Sequence, residues 1–252
     1  MTDKINVSFD LALGAEGVRV SMNVEAGPIP ARRLLPLFRG LTNSVVDAAV
    51  GEVGKRGEHV SCKAGCGACC RQLVAISGAE AQALRALVDA MPEPRRSEVR
   101  ARFEAALTRL DAEGMLEAVR DIDAVPEAEG LAVTHRYMAL RIPCPLLEDE
   151  SCSIHPQRPL VCREYLVTTP ADRCVDPSQG TVRTVPLRAL VSRAVVGLEM
   201  KDGRSRRIPL VMALSWAEEH ASDEPERRQA MRWIDEVLRA MTGKTLGEGG
   251  AT

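Results

Sequence analysis

The sequence predicts a mainly α protein that carries a β-hairpin at its N-terminus. Alanine, leucine, arginine and glutamate are abundant along the chain, and all four favour helix. Apolar residues recur at helical spacing over several long segments. Two runs within the first 24 residues show the alternation of apolar and polar side chains that is typical of strands.

The N-terminal hairpin is predicted from two alternating runs. Residues 5–11 (INVSFDL) and 18–24 (VRVSMNV) each place apolar side chains on one face, and the segment LGAEG between them contains turn residues. Pro28 and Pro30 then end the alternation. We therefore expect residues 1–30 to form a hairpin appended to a helical domain.

The helical part begins after this hairpin. Pro36 is placed to kink the start of its first helix. Ser77 and Glu80 have the spacing of a capping box, which predicts that a helix begins there. Helical spacing predicts helices over 31–57, 77–92, 95–112, 185–199, 208–220 and 225–241.

The remaining segments are less regular. Residues 113–130 are expected to form a loose connection or a short helix, and residues 132–141 fit a strand or a helix equally well. A turn is expected at 201–203, and a disordered tail at 244–252. With no internal repeat or linker in view, residues 31–243 are expected to form a single irregular helical domain.

Composition and charge narrow the class of protein. With 252 residues, the chain can bury a core without needing disulfides or a metal to hold it. A formal net charge of −2 gives no reason to expect a nucleic-acid partner. The N-terminus lacks the features of a signal peptide, and no stretch approaches the roughly 20 apolar residues of a membrane-spanning helix. We expect a cytoplasmic protein that binds neither nucleic acid nor membrane.

All eight cysteines fall in two short segments, whereas buried structural cysteines would be spread along the apolar faces of helices. In a reducing cytoplasm, clustered cysteines indicate metal binding or redox chemistry more often than disulfides. We therefore predict that the helical domain is organised around a cysteine metal centre. The predicted metal ligands are Cys62, Cys66, Cys69, Cys70, Cys144, Cys152, Cys162 and Cys174.

The second cysteine-rich segment is predicted to be stiff. Pro145, Pro156 and Pro159 keep the residues before them out of the helical conformation. Pro159 also suits the first position of a short helix that runs through Tyr165. Cys162 would then lie in the opening turn of that helix, where the helix dipole favours a thiolate.

Other neighbours of the cysteines also suit a binding site. Gly65 and Gly67 allow the first segment to fold its backbone closely around an ion. Arg71, Arg158 and Arg163 can partly offset the negative charge of several thiolates.

The residues leave zinc and iron–sulfur both open. Eight thiolates could form two tetrahedral zinc sites, and iron–sulfur clusters also take four cysteines each. The adjacent side chains of Cys69 and Cys70 diverge, so the pair suits a centre with more than one metal atom, which favours iron–sulfur. His155 could be a ligand, but packing beside Pro156 is the preferred role. Cys174 either completes a site or is a free thiol.

Four motifs in these segments carry a family resemblance. They are C-x3-C-x2-C-C at 62–70, CPLL at 144–147, CSIH at 152–155 and RPxxCRxY at 158–165. Together they resemble the YkgJ-type cysteine-cluster proteins, a family also described as a zinc- or iron-chelating domain with a CxxCxxCC signature. The resemblance covers about residues 60–175 and implies metal binding.

Two other functions remain open. Some proteins similar to this family, notably flagellin lysine methylases, are thought to modify proteins in a cluster-dependent way. That resemblance implies an Fe–S-dependent protein-modifying enzyme with a protein substrate or partner. Alternatively, Cys69 or Cys70 is the reactive thiol of a redox sensor and not a ligand.

Overall fold

The computed structural model describes residues 4–13, 16–124, 126–175, 177, 180–199 and 207–243. The protein is mainly α, as predicted, and its strands form small two-stranded antiparallel sheets. The helices are α1 (Leu35–Lys55), α2 (Gly78–Asp89), α3 (Arg95–Ala112), α4 (Leu116–Arg120), α5 (Glu127–Leu140), α6 (Leu160–Glu164), α7 (Val191–Gly197), α8 (Ala213–Glu219) and α9 (Ala230–Thr242). The strands are β1 (Lys4–Leu13), β2 (Glu16–Glu25), β3 (Pro28–Ile29), β4 (Ala75–Ile76), β5 (Leu147–Glu148), β6 (Ser151–Cys152), β7 (Ile208–Pro209) and β8 (Arg228–Gln229).

The N-terminal hairpin forms where it was predicted. β1 pairs antiparallel with β2, with Phe9 opposite Val20. Val7 and Val24 are buried in the same apolar cluster as the residues of α1. The apolar face of the hairpin therefore packs on the helices. Its expected turn includes residues 14 and 15, which lie outside the described part of the chain.

The first predicted helix is divided into two parts. A 3-10 turn, Ala31–Leu34, leads directly into α1. Pro36 lies in the first turn of α1, where its missing N–H interrupts no helical hydrogen bond. The buried face of α1 includes Phe38, Leu41 and Val45, as its spacing predicts.

The capping box at the start of α2 is present. The Glu80 N–H donates to Ser77 Oγ at 3.3 Å, and the Ser77 N–H donates to Glu80 Oε2 at 3.1 Å. α3 spans the predicted residues and buries Val99, Phe103 and Leu110 on one face. Residues 132–141, which fitted either element, are helical up to the end of α5.

The helix predicted at 185–199 begins only at Val191. Val185 donates its N–H to the carbonyl of Leu166 at 2.8 Å, and the Thr168 N–H donates to the carbonyl of Arg183 at 3.0 Å. These bonds hold the chain before α7 in extended pairing with the end of the second cysteine-rich segment. A local helical pattern cannot reveal such a distant partner.

The last two predicted helices also begin late. The prediction placed them from 208 and from 225, but β7 and a 3-10 turn precede α8, and β8 directly precedes α9. β7 pairs with β4, and β8 pairs with β3. Pairing with distant strands therefore overrides the local helical pattern at both positions.

The apolar core has separate clusters, and three of the cysteines pack against two of them. α1, α7 and α9 enclose the largest cluster, whereas α2, α3 and α8 enclose a second one. Cys144 and Cys152 pack against that second cluster. Cys62 packs against a small cluster formed by Val53, Leu166 and their neighbours.

Two predictions concern residues that are not described, namely the turn at 201–203 and the tail at 244–252. Among the helices that are described, none is both long enough and apolar enough to span a bilayer.

Candidate metal centre

The first cysteine segment, residues 62–71, is a chain of tight turns. The Cys66 N–H donates to the carbonyl of Lys63 at 3.2 Å, and the Cys70 N–H donates to the carbonyl of Gly67 at 2.9 Å. Gly65 has a φ of +82°, a conformation that residues with a side chain rarely adopt. The four cysteines of this segment therefore lie on an irregular, tightly turning backbone and not on a helix or strand.

Gly67 lets this segment approach the second one, residues 144–174. A Cβ atom at Gly67 would lie 2.5 Å from the backbone oxygen of Glu150 and 2.7 Å from Leu147 Cδ1. Both distances are well inside van der Waals contact. Because Gly67 has no side chain, the first cysteine segment can pack directly against the second.

The second segment begins with a β-hairpin formed by β5 and β6. Leu147 pairs with Cys152, and the turn residues Asp149 and Glu150 have φ values of 48° and 57°. Positive φ at both turn residues is the geometry that favours tight two-residue hairpins. The hairpin holds Cys144 and Cys152 near each other, because the Leu147 N–H also donates to the carbonyl of Cys144 at 2.9 Å.

Carboxylates fix the short helix α6, which carries Cys162. Pro159 immediately precedes this helix, close to its predicted start. The Leu160 N–H donates to Glu80 Oε1 at 2.8 Å, so the capping residue of α2 also holds the start of α6. At the other end, Glu164 accepts the Ser192 N–H at 3.0 Å. Burial raises the pKa of both carboxyl groups.

The two segments meet at a cavity of about 930 Å³. A backbone hydrogen bond joins them there, from the Cys144 N–H to the carbonyl of Cys70 at 2.7 Å. Cys62 and Cys174 do not line this cavity, and Cys174 is buried. Six of the eight predicted ligands line it: Cys66, Cys69, Cys70, Cys144, Cys152 and Cys162.

Backbone amides donate hydrogen bonds to several of the sulfur atoms. Cys144 accepts from the N–H of Leu146, and Cys152 accepts from the N–H of Ile154, two residues further along in each case. Cys62 accepts from the amide of Val167. Such donors favour the thiolate form and lower the pKa, although burial outweighs them and leaves the pKa of all three thiols raised.

The adjacent cysteines are electrostatically linked. The Cys70 thiol donates a hydrogen bond to the Cys69 sulfur, which lowers the pKa of Cys69 and raises that of Cys70. Burial opposes the first effect and adds to the second. Cys69 is therefore the thiol that most readily gives up its proton within the pair.

Arg158 brings positive charge to the cavity without an acidic partner among the described residues. Its Nη1 donates to His155 Nε2 at 3.0 Å, while its buried Nε finds no hydrogen-bond partner in the part of the chain that the structure describes. His155 must accept this bond, because a guanidinium can only donate. Burial first, and the Arg158 and Arg163 cations second, lower the pKa of His155. The observed bond therefore uses Nε2 of His155, one of its two potential ligand atoms.

Arg163 and Arg71, the other two arginines predicted to balance thiolate charge, differ in their partners. Arg163 is buried and donates to Asn43 Oδ1 at 2.9 Å, with no carboxylate paired to it in the described chain. Arg71 instead pairs with Glu150, the turn residue of the second segment. Arg71 therefore joins the two segments, whereas Arg163 remains close to Cys162 and Cys152.

The structure adds residues that sequence reasoning missed. Tyr137 is buried in α5 and lines the cavity, where burial and the neighbouring Cys144 raise its pKa. Gln72 donates from Nε2 to the carbonyl of Cys174 at 3.1 Å. Tyr165, which the sequence already marked as the last residue of the RPxxCRxY motif, forms a side-chain hydrogen bond with Cys174. Tyr137 lies in residues 132–141, whose pattern fits a strand and a helix equally well. The only signal for it in the sequence is that tyrosine is rare, since the chain has two.

The eight thiols have the right chemistry for a thiolate metal centre. Their side chains, however, do not lie in the positions that would coordinate a metal ion. In the described chain, no three Cys, His, Asp or Glu side chains are placed so that they could hold a metal ion. All eight thiols are free. The unpaired Nε of Arg158, the uncompensated Arg163 and the amide donors to sulfur are what an anionic centre would require. The thiols would have to rotate towards each other to bind it.

The comparison with protein families agrees with this chemistry. Residues 61–179, slightly less than half of the chain, match the CxxCxxCC model, described as a "Putative zinc- or iron-chelating domain". This part of the chain is therefore similar to the CxxCxxCC family. The matched residues include all eight cysteines, both cysteine segments and helices α2 to α6. No curated protein and no solved structure matches the chain.

Proposed function

We propose that this protein binds metal through all eight of its cysteines and that the metal centre is an iron–sulfur cluster or zinc. One observation carries the proposal: six cysteines from two distant segments line one cavity together with Arg158, a cation without an acidic partner in the described chain. A cation left in this position is best explained by an anionic metal–thiolate group beside it. The proposed ligands are Cys62, Cys66, Cys69, Cys70, Cys144, Cys152, Cys162 and Cys174.

Between the two kinds of centre, we favour iron–sulfur. Adjacent Cys69 and Cys70 diverge along the chain, which suits more than one metal atom. Amide hydrogen bonds to sulfur, like those that Cys144 and Cys152 accept, are among the interactions that set the potential of iron–sulfur clusters. Such a cluster would supply electron-transfer chemistry. The chain's own residues would hold it, balance its charge and limit its contact with water.

Anaerobic purification followed by metal and acid-labile sulfide analysis tests this proposal. A brown protein with iron, sulfide and an EPR signal on reduction is the expected result. A colourless protein with bound zinc would keep the metal-binding proposal and overturn the preference for iron–sulfur. Protein that takes up neither zinc nor iron with sulfide, while its circular dichroism stays helical, would overturn metal binding itself.

The proposal also places the protein in a reducing compartment such as the cytoplasm. Thiolates bind metal only while they remain reduced, and eight clustered cysteines in an oxidising compartment would tend to form disulfides. Fractionation of cells that produce the tagged protein should therefore recover it with cytoplasmic markers. Recovery from an oxidising compartment would contradict this part of the proposal.

A second candidate function is an Fe–S-dependent protein-modifying enzyme. The size of the cavity favours it, since about 930 Å³ is much more than a single metal ion occupies. Tyr137, Tyr165 and Gln72 supply polar groups on its wall. If the protein is such an enzyme, mass spectrometry of cells that lack it should reveal a missing modification. An unchanged proteome and metabolome would remove this candidate without affecting metal binding.

A further inference from the structure

Two carboxylates link three of the helices around the cysteine cavity, one helix to the next. Glu80 in α2 accepts the Leu160 N–H at the start of α6, at 2.8 Å. Glu164, at the end of α6, accepts the Ser192 N–H at the start of α7, at 3.0 Å. Each bond uses a backbone N–H that the first turn of a helix leaves without an intrahelical partner.

A third carboxylate, that of Glu199, closes these links into a ring. Glu199 follows α7 and accepts the N–H groups of Gly78 and Ala79, the first two residues of α2, at 2.6 Å each. Gly78 leaves room for it, since a Cβ atom there would lie 2.9 Å from Glu199 Oε2. α2 therefore holds α6, α6 holds α7, and the chain after α7 holds α2. We name these three residues the carboxylate ring: Glu80, Glu164 and Glu199.

The two short helices depend on this ring. α6 has five residues and α7 has seven, and the N-cap residues of both, Pro159 and Leu190, make no side-chain cap. Helices this short are not stable on their own in water. Leu160 and Val191 are buried in one apolar cluster, but apolar burial is not directional. The carboxylates therefore fix the orientation of α6 and α7.

Cys162 is the middle residue of α6, between the two bonds that the carboxylate ring makes to this helix. It lines the cavity, as do Ser192, Val196 and Gly197 from α7 and the turn at its end. The ring thus fixes the backbone of one proposed ligand, and one wall of the cavity, relative to α2. A ligand whose backbone is already fixed has only its side chain to order when metal binds, so it loses less entropy.

We propose that the carboxylate ring positions Cys162 for metal binding and that Glu164 and Glu199 are positioning residues of the metal centre. The inference rests on the proposed function, because it concerns one ligand of that centre. Glu164 acts directly, since its helix carries Cys162. Glu199 acts through α2, because a displacement of α2 moves the Glu80 oxygen that holds the start of α6.

Zinc affinity in glutamine variants is the first test. Glutamine has nearly the shape of glutamate, but it has one acceptor oxygen in place of two and carries no charge. Glu164→Gln and Glu199→Gln should each weaken zinc binding by about tenfold or more, measured anaerobically by competition with a chromophoric chelator. Glu93→Gln is the matched control, because exposed Glu93 accepts the N–H and the hydroxyl of Ser97 at the start of α3 and does not line the cavity. It should leave zinc affinity unchanged.

The reactivity of individual thiols separates positioning from a general loss of stability. The variants are loaded with zinc above their measured dissociation constants and alkylated, and each cysteine is read by tandem mass spectrometry. In Glu164→Gln and Glu199→Gln, Cys162 should become reactive while Cys144 and Cys152 stay protected. If all cysteines became reactive together, the carboxylates would only stabilise the fold and the proposal would be wrong. Unchanged protection of Cys162 in both variants would also overturn it.

Double variants show whether Glu164 acts through Cys162. Cys162→Ala alone should weaken zinc binding, and adding Glu164→Gln to it should cause no further loss. Additive losses would mean that Glu164 does not act through this cysteine. If the glutamine variants fail to fold, Ser192→Ala replaces them, since it removes only a hydroxyl that donates to Glu164. It should make Cys162 reactive in the same selective way, and full protection of Cys162 would contradict the proposal.

The wild-type chain distinguishes this inference from the proposed function. If it binds neither zinc nor iron with sulfide, the proposed function is wrong and the inference falls with it. If it binds zinc while Cys162 stays reactive, metal binding stands and the positioning role fails. The same holds if the ring variants bind zinc as tightly as the wild type.

Discussion

Two regions of the molecule are stabilised in different ways. The helical frame, α1, α2, α3, α7, α8 and α9, buries most of the apolar side chains in its clusters. The cysteine segments, 62–71 and 144–174, consist of turns, two-residue strands and short helices joined by hydrogen bonds and carboxylates. Apolar burial can stabilise the frame without a ligand, whereas the proximity of several thiols in irregular loops gives little stability by itself. The difference implies that metal matters mainly to the segments.

Removing the metal should have the largest effect. Chelation of the loaded protein should destabilise it by several kcal/mol, because structural zinc in small domains contributes on the order of 10 kcal/mol of binding free energy. Hydrogen exchange should rise in residues 62–71 and 144–174 and stay nearly constant in α1 and α9. A uniform rise across the frame, or no rise in the segments, would contradict this comparison.

The contact between the segments should be the next most sensitive feature. Gly67→Ala places a Cβ against the backbone of Glu150, and relieving that overlap should cost about 3 kcal/mol and reduce metal content. The matched change in the frame, Gly51→Ala in α1, has open space and replaces a poor helix former, so it should stabilise by up to about 1 kcal/mol. Urea unfolding of both variants measures the two effects. If both variants changed the free energy of unfolding in the same direction, close packing at Gly67 would not explain the effect.

The same difference explains what the sequence could and could not predict. The hairpin, α1, α2 and α3 follow from local patterns, because alternation, helical spacing and the Ser77–Glu80 capping box all act over a few residues. The late start of α7 depends on the pairing of residues 183–185 with residues 166–168, which no local pattern contains. Likewise, cysteine spacing predicted the two segments, but only their docking brought Tyr137 and Gln72 to the site.

Glu80 joins the frame to the cysteine segments, and we expect its substitution to have the third largest effect on stability. Its carboxylate accepts from Ser77 at the start of α2 and from Leu160 at the start of α6. Glu80→Gln replaces one acceptor oxygen by an N–H donor that faces another donor, so it should destabilise by about 2 kcal/mol. Glu98→Gln in the exposed first turn of α3 should change stability by less than about 0.5 kcal/mol. Equal effects in the two variants would mean that Glu80 does not link the two regions.

The smallest effect should come from a hydrogen bond that joins the frame to β3, away from the cysteine segments. Trp233 in α9 donates from Nε1 to the carbonyl of Ile29 at 2.8 Å, and both residues are buried. Trp233→Phe leaves that carbonyl unpaired and should cost about 1 kcal/mol without reducing metal content. Trp216 in α8 is the matched control, because its buried Nε1 has no hydrogen-bond partner among the described residues.

Trp216 is partly buried, and Trp216→Phe removes an unsatisfied N–H instead of a bond. The loss of apolar contact should therefore be offset, and stability should change little. Both variants make the same chemical change, and both keep an aromatic ring to contact Arg228 at position 233 or His220 at position 216, so the bond to Ile29 is the main polar difference between them. Thermal unfolding in the metal-loaded and metal-free states measures both. If Trp233→Phe lowered metal content as well as stability, the frame and the cysteine segments would be coupled more tightly than their separate clusters indicate.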